Sequence, residues 1–91
     1  MQHLNTKKAQ IFLKVLGFVI KEERLKQNKS QRILADEFDF QKSMLSRIES
    51  ATNEPKIISL CTISESLGIK LSDLIAKVEA LLPEDFTLIE K

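Results

Sequence analysis

Glycine, proline and cysteine are scarce in this chain. Its 91 residues include two glycines, two prolines and one cysteine, while hydrophobic residues make up 43% and charged residues 30%. So few helix-breaking residues, together with enough apolar residues for a core, are typical of a compact helical protein rather than a disordered or β-rich one. The sequence therefore predicts one small all-α domain with little strand.

Signals for secretion or membrane insertion are also weak. The single cysteine, Cys61, has no partner for an internal disulfide. The apolar run at residues 11–20 is interrupted by Lys14 and is followed by four charged residues at 21–24, without a small-residue cleavage site. This pattern predicts neither a membrane span nor a secretory leader. We expect a cytoplasmic protein that does not enter membranes.

Residues suited to catalysis are few. The lone histidine, His3, lies near a terminus that is expected to fray, and Cys61 falls on the inward stripe of a predicted helix. No histidine or cysteine joins the neighbouring acids Asp36 and Glu37, and no glycine-rich loop is present to hold a phosphate. We therefore expect no enzyme activity, no metal site and no cofactor.

Apolar spacing and capping residues predict five helices. The first begins after Asn5 or Thr6 and ends near Asn28. The other four are predicted at Gln31–Phe38 behind a Ser30 cap, at residues 41–50, at residues 57–67 before Gly68, and between a Ser72 cap and Pro83. The bend between the second and third helices falls at Asp39, a residue type that tolerates a positive φ.

The first predicted helix has an unusually wide apolar face. One apolar stripe consists of Ile11, Val15 and Val19, and the next consists of Phe12, Leu16 and Ile20. Leu13 and Phe18 extend this apolar face further. Such a helix buries either one face in its own core and another against a partner, or its whole circumference in the core. The pattern alone leaves both arrangements open.

The third predicted helix has a polar face. Its inward residues are Leu45 and Ile48, and its outward residues are Lys42, Ser43, Ser46 and Arg47. Lysine and arginine can donate to guanine O6 and N7, and serine can pair with any base edge. These residues alone fit a DNA-reading face and an ordinary solvated face equally well.

A longer series of residues extends this pattern. It comprises Ser30, Gln31, Leu34, Ala35, Asp39, Phe40, Gln41, residues 45–49, Pro55, Leu60, Ile63, Leu67, Gly68 and residues 71–74. In order and spacing this series resembles the phage-repressor or XRE-type helix-turn-helix family. The resemblance covers residues 16–75 and implies a DNA-binding domain there. Outside it, we expect an N-terminal extension of the first helix at 1–15, and the end of the fifth helix with a short tail at 76–91 as a dimerisation element.

The resemblance also implies roles for individual residues. A base-reading set in the major groove consists of Gln41, Lys42, Ser43, Ser46 and Arg47. Ser30 and Gln31, at the start of the second helix, match positions that contact backbone phosphates in the family. Lys29 replaces an apolar residue of the family pattern, and we expect its positive charge to join this phosphate-contacting set. Arg24 and Glu49 match a pair that forms an internal salt bridge in some family members. The chain departs from the family pattern at the bend, where Asp39 replaces glycine, and at the helix start, where Gln41 replaces serine or threonine.

The C-terminal segment carries more apolar residues than one short helix is expected to bury. They are Leu74, Ile75, Val78, Leu81, Leu82 and Phe86. An apolar excess of this kind usually marks an interface, and the resemblance implies dimerisation after the fourth helix. We therefore expect a two-fold homodimer with these six residues at its interface, with help from the wide apolar face of the first helix, on an operator that is an inverted repeat.

The sequence thus predicts a sequence-specific transcriptional regulator, either a repressor or an operon controller, that binds double-stranded DNA through residues 41–50. A protein partner that masks the DNA surface would be one route to its regulation. The net charge of only +1 keeps a second interpretation open. In that alternative, a protein-interaction module or an antitoxin retains the fold while DNA binding is weak or lost.

Overall fold

A computed structural model describes residues 6–89, and the described residues form five α-helices and no strand. The helices are α1 Lys7–Lys26, α2 Gln31–Phe38, α3 Lys42–Glu49, α4 Ile57–Ser66 and α5 Leu71–Leu81. The predicted all-α, five-helix architecture is confirmed. The predictions made for His3 and Asn5 lie outside the described residues.

Side-chain caps start the first two helices. The Thr6 hydroxyl accepts a hydrogen bond from the Ala9 N–H at 3.0 Å, and the Ser30 hydroxyl accepts one from the Ile33 N–H at 3.1 Å. Each bond satisfies a backbone donor that the first helical turn leaves without a carbonyl partner. The start of α2 therefore lies where the sequence predicts it.

The prediction that Ser72 caps the fifth helix is wrong. The N-cap is Lys70, whose side chain makes no capping bond, and the helix begins at Leu71. Leu71 packs against the hydrophobic core. The helix thus begins one residue before the best local capping residue, so that the half-buried Leu71 packs on the core, and Ser72 is left exposed in the first turn.

A residue with positive φ follows each of the first four helices. The four residues are Asn28, Asp39, Ala51 and Gly68, with φ values from 56° to 75°. At Asp39, which closes α2, φ is 58° and ψ is 50°, as the sequence predicts. The N–H groups of Asp39 and Phe40 both donate to the Ala35 carbonyl, which reverses the chain before α3.

The core lies between the inward faces of all five helices. Its most deeply buried apolar side chains are Leu16, Ile20, Leu34, Leu45, Ile63, Leu74 and Val78. Helix α1 packs against α3 and α5, while α2 packs against α3, and α4 against α5. On α1, Leu13 and Val19 face the core whereas Ile11 and Phe18 are exposed. The alternative in which the whole circumference of α1 is buried is therefore wrong.

Gly17 lets α1 approach the end of α3 closely. A Cβ atom at this position would lie 2.5 Å from the Glu49 carbonyl oxygen and 2.7 Å from that of Ile48. Both are backbone atoms and cannot turn aside as a flexible side chain would. A glycine inside a helix lowers helix stability, and here the close contact with α3 offsets that loss.

We expect Gly17→Ala to lower the free energy of unfolding by about 1 to 3 kcal/mol, because the added methyl group must push α1 away from α3. Urea unfolding followed by circular dichroism measures the loss. Lys14→Ala, on the exposed side of the same helix, is the matched control and should change stability by less than about 0.5 kcal/mol. A Gly17→Ala protein as stable as wild type would contradict the close contact.

Candidate nucleic-acid interface

Helix α3 presents a polar face on the side opposite the core. Leu45 and Ile48 are buried, and helical spacing places the outward residues together on the other side. The outward residues are Lys42, Ser43 and Arg47, which are exposed, and Ser46, which is half-buried. Gln41 is the exposed N-cap residue, and its side chain makes no capping bond. Four residues of the predicted base-reading set are thus exposed on α3 or at its N-cap, and the fifth, Ser46, is half-buried.

Hydrogen bonds from the following loop hold the end of α3. The Arg47 carbonyl accepts from the Thr52 N–H at 3.1 Å and from the hydroxyls of Ser50 and Thr52 at 3.3 Å each. With its amide oxygen turned toward α3, Asn53 accepts from Arg47 Nε at 3.2 Å. The terminal guanidinium nitrogens of Arg47 have no hydrogen-bond partner within residues 6–89. They are therefore available to an external acceptor.

A cleft of about 360 Å³ opens between α3 and the start of α4. The polar residues along its wall include Gln41 and Arg47, together with Asn53 and Lys56 from the connecting loop. Neither Asn53 nor Lys56 belongs to the site residues predicted from the sequence. Their only signal was an amide and a cation in the loop directly after a polar helix. The structure brings them beside two residues of the predicted base-reading set.

The three predicted phosphate-contacting residues have internal partners. The Ser30 hydroxyl caps α2, and Gln31 Nε2 donates to Glu49 Oε1 at 3.0 Å. Lys29 Nζ pairs with Glu37 Oε1 at 2.5 Å and lies 5.7 Å from the centre of the Phe38 ring. Lys29 would therefore have to exchange a carboxylate for a phosphate on binding DNA. These residues are close together at the start of α2, but none of these side chains is unengaged.

A buried ion pair connects α1 to the end of α3. Arg24 Nε lies 2.7 Å from Glu49 Oε2, and a terminal nitrogen lies 2.9 Å from Oε1. The other terminal nitrogen donates to the Lys29 carbonyl at 2.7 Å. The two side chains are only 7% and 5% exposed, and the hydrogen bond with Glu49 raises the pKa of Arg24. Arg24 thus remains charged and holds α1, α3 and the start of α2 in one arrangement.

The six residues predicted at a dimer interface do not form one exposed surface. Leu74 and Val78 have no exposed area because they pack in the core of the chain itself, so their prediction as interface residues is wrong. Ile75, Leu82 and Phe86 are half-buried. Leu81 alone is mostly exposed, at 56%. It is accompanied near the C-terminal end by two further exposed side chains, Leu88 and Ile89.

Other types of site find little support in the described residues. No group of three or more histidine, cysteine, aspartate or glutamate side chains within residues 6–89 could hold a metal ion. No helix in the described chain has the length and apolar character needed to cross a membrane. Cys61 is a half-buried free thiol.

A family model described as Helix-turn-helix matches residues 20–74, which is more than half of the chain. The matched segment includes all of α2, α3 and α4, and therefore the hairpin and the polar face described above. No curated protein and no solved structure matches the chain significantly.

Removing one partner of the buried ion pair should be more damaging than removing both. We expect Arg24→Met to cost about 3 to 5 kcal/mol of stability, because the Glu49 carboxylate is left buried without its cation. Arg24→Met/Glu49→Leu should be more stable than Arg24→Met alone, since no unpaired charge remains. Urea unfolding of Arg24→Met, Glu49→Leu and the double variant, each compared with wild type, gives the coupling energy between the two side chains. Additive losses would show that the two side chains do not act as a pair.

Proposed function

The chain belongs to the XRE-type helix-turn-helix family, and from this membership we propose that it is a sequence-specific transcriptional regulator that reads the major groove with α3. The observation that carries the proposal is the exposed polar face of α3, which is held by a tight turn at one end and by hydrogen-bonded loop residues at the other. A rigid, short helix with polar side chains directed outward suits contact with base edges.

Base contacts are assigned by side-chain chemistry. Lys42 and Arg47 can donate to O6 and N7 of guanine, Gln41 can pair with adenine, and the two serines can donate or accept. Arg47 is the strongest candidate, because its terminal nitrogens face solvent while Asn53 steadies Nε. A guanidinium that is already oriented loses less side-chain entropy when it binds.

Phosphate contacts are proposed on both sides of α3. Lys29, Ser30 and Gln31 lie at the start of α2, where exposed backbone N–H groups and the helix dipole favour an anion. Lys56 lies at the start of α4, on the wall of the cleft beside Arg47. Contacts on the two sides would fix the position of α3 along the groove and leave sequence choice to the residues between them.

Repression is the regulatory outcome we propose, through occupation of an operator that overlaps a promoter. A cytoplasmic location is part of the proposal, because the free thiol of Cys61 suits a reducing compartment. The alternative, a protein-interaction module that does not bind DNA, gives a different expected result when retention on random DNA is measured at rising salt. Retention on random DNA should fall steeply as salt rises if phosphates are bound, and should be absent for such a module.

A homodimer is the proposed binding unit. Leu81, Leu88 and Ile89 leave apolar surface exposed at the C-terminal end, with Ile75, Leu82 and Phe86 half-buried beside the core or the tail. Pairing two copies there would remove this surface from water. A two-fold dimer places its two copies of α3 in successive major grooves, so the operator would be an inverted repeat with half-sites about 10 base pairs apart or a multiple of that.

We expect Arg47→Ala and Lys42→Ala each to weaken binding to the selected operator by about 1 to 3 kcal/mol and to relax the preference at one base pair. Selection from a random DNA pool, followed by fluorescence anisotropy, measures both effects. Lys29→Ala should weaken binding to all DNA sequences about equally, since a phosphate contact carries no information about the base. Lys70→Ala, an exposed lysine between α4 and α5, is the control for charge alone. Wild-type operator affinity in both α3 variants would reject α3 as the reading helix.

We expect Leu81→Glu to convert the dimer to a monomer without unfolding it, because the side chain is mostly exposed in the single chain. Sedimentation at micromolar concentration measures the change. Phe18→Glu on α1 is a matched comparison, since Phe18 and Leu81 are both 56% exposed. That variant should remain a dimer. A wild-type protein that is monomeric at this concentration would refute the dimer, while leaving DNA binding by α3 to its own test.

A further inference from the structure

The outer face of α1 carries a regular pattern that neither the core nor the DNA-reading surface uses. Six exposed residues follow one another at alternating steps of four and three along the helix. We call them the α1 seam, and they are Lys7, Ile11, Lys14, Phe18, Lys21 and Leu25. Steps of four and three are the spacing with which one helix meets another in a coiled coil, and the six residues extend over about 27 Å.

The apolar members of the seam are far from covered. Ile11, Phe18 and Leu25 are 46%, 56% and 47% exposed, and each lies seven residues from the next. Single exposed apolar residues are ordinary on protein surfaces, but three large ones in line on one helix face, about 10.5 Å apart, match the spacing of one position of a heptad repeat. The opposite side of α1 packs on the core through residues such as Leu16 and Ile20.

The lysines of the seam are not neutralised within the described chain. Lys7, Lys14 and Lys21 are exposed, and none forms an ion pair with a described residue. Of the two acids within α1, Glu22 is exposed next to Lys21, and Glu23 pairs with Lys26. The three lysines of the seam therefore outnumber the one exposed acid of this helix. The seam is therefore apolar along one line and basic along the adjacent line.

We propose that the α1 seam binds an acidic amphipathic helix of another protein, with apolar residues of that helix against Ile11, Phe18 and Leu25 and its carboxylates against the lysines. Such a partner satisfies both lines of the seam at once. Burial of the three apolar side chains supplies the affinity, and the charge pairs select the partner and its register. The inference does not depend on DNA binding by α3.

A second copy of the chain fits the seam poorly. Two parallel copies of α1 would place each lysine opposite its equivalent, which is repulsive. Two antiparallel copies would place lysines against apolar residues and bury ammonium groups without a counter-charge. Nucleic acid also fits poorly, since phosphates would pair with the lysines but leave Ile11, Phe18 and Leu25 uncovered. An acidic helix is the occupant that complements all six positions.

Two synthetic helical peptides test the proposal with the full-length protein. Each peptide is three heptads long and carries leucine at one of the two seam positions of every heptad. The other seam position is glutamate in the acidic peptide and lysine in the basic peptide. Fluorescence anisotropy should give a dissociation constant about tenfold or more lower for the acidic peptide. Lys14→Glu/Lys21→Glu should reverse this preference, and Phe18→Ser should weaken binding of the acidic peptide by about tenfold or more.

Ile33→Ser is the matched control, because Ile33 is 53% exposed on α2 and should not affect peptide binding. Circular dichroism melting confirms that each variant is folded. Equal binding of the two peptides, or no binding of either, would overturn the proposal. It would also be overturned if Lys14→Gln/Lys21→Gln lost DNA affinity while peptide binding persisted, or if Phe18→Ser abolished a dimer of the protein alone.

Discussion

The contact between α1 and the end of α3 is the constraint on which the rest of the structure depends. Gly17 and Arg24 are two helical turns apart on one side of α1, and both meet Glu49. The missing side chain at Gly17 sets how near the backbone of α3 can come, and the guanidinium of Arg24 sets how the last turn of α3 is oriented. Gln31 adds a third hydrogen bond from α2 to the same carboxylate. One residue of α3 is thereby fixed by two other helices.

This arrangement also leaves two exposed cations on the outer face of α3 although the chain is nearly neutral. The chain has 14 lysines and arginines against 13 acids, so charge separation must be local. Glu49 is withdrawn into a hydrogen-bonded interior, where Arg24 neutralises it. Lys42 and Arg47 on α3 are left facing solvent. Under the proposed function, burial of the one acid of α3, Glu49, leaves exposed cations on the face of this helix that would approach DNA.

The sequence predicted most accurately the features that depend on neighbours along the chain. The start of α2 at the Ser30 cap and its end at Asp39 were predicted correctly, because both depend only on residues nearby in the sequence. The prediction that Ser72 caps α5 was wrong because the packing of Leu71 outweighed a good capping residue. Leu74 and Val78 were assigned to a partner because a periodic apolar stripe does not say which surface covers it. The close contact at Gly17 and the position of Lys56 on the cleft wall were missed, since each depends on residues brought near only by folding.

Each of the first four helices is followed by a residue with positive φ, and the connections to the following helices are short. From Lys26 to Ile57 every connection is short, and the turn at Asp39 is closed by two bonds to a single carbonyl. One residue inserted within α3 would rotate all later side chains by about 100° and carry polar groups into the core. Under the proposed function, the DNA target can therefore change by exchange of exposed side chains on α3, whereas a change of length within α2 or α3 would disturb the core.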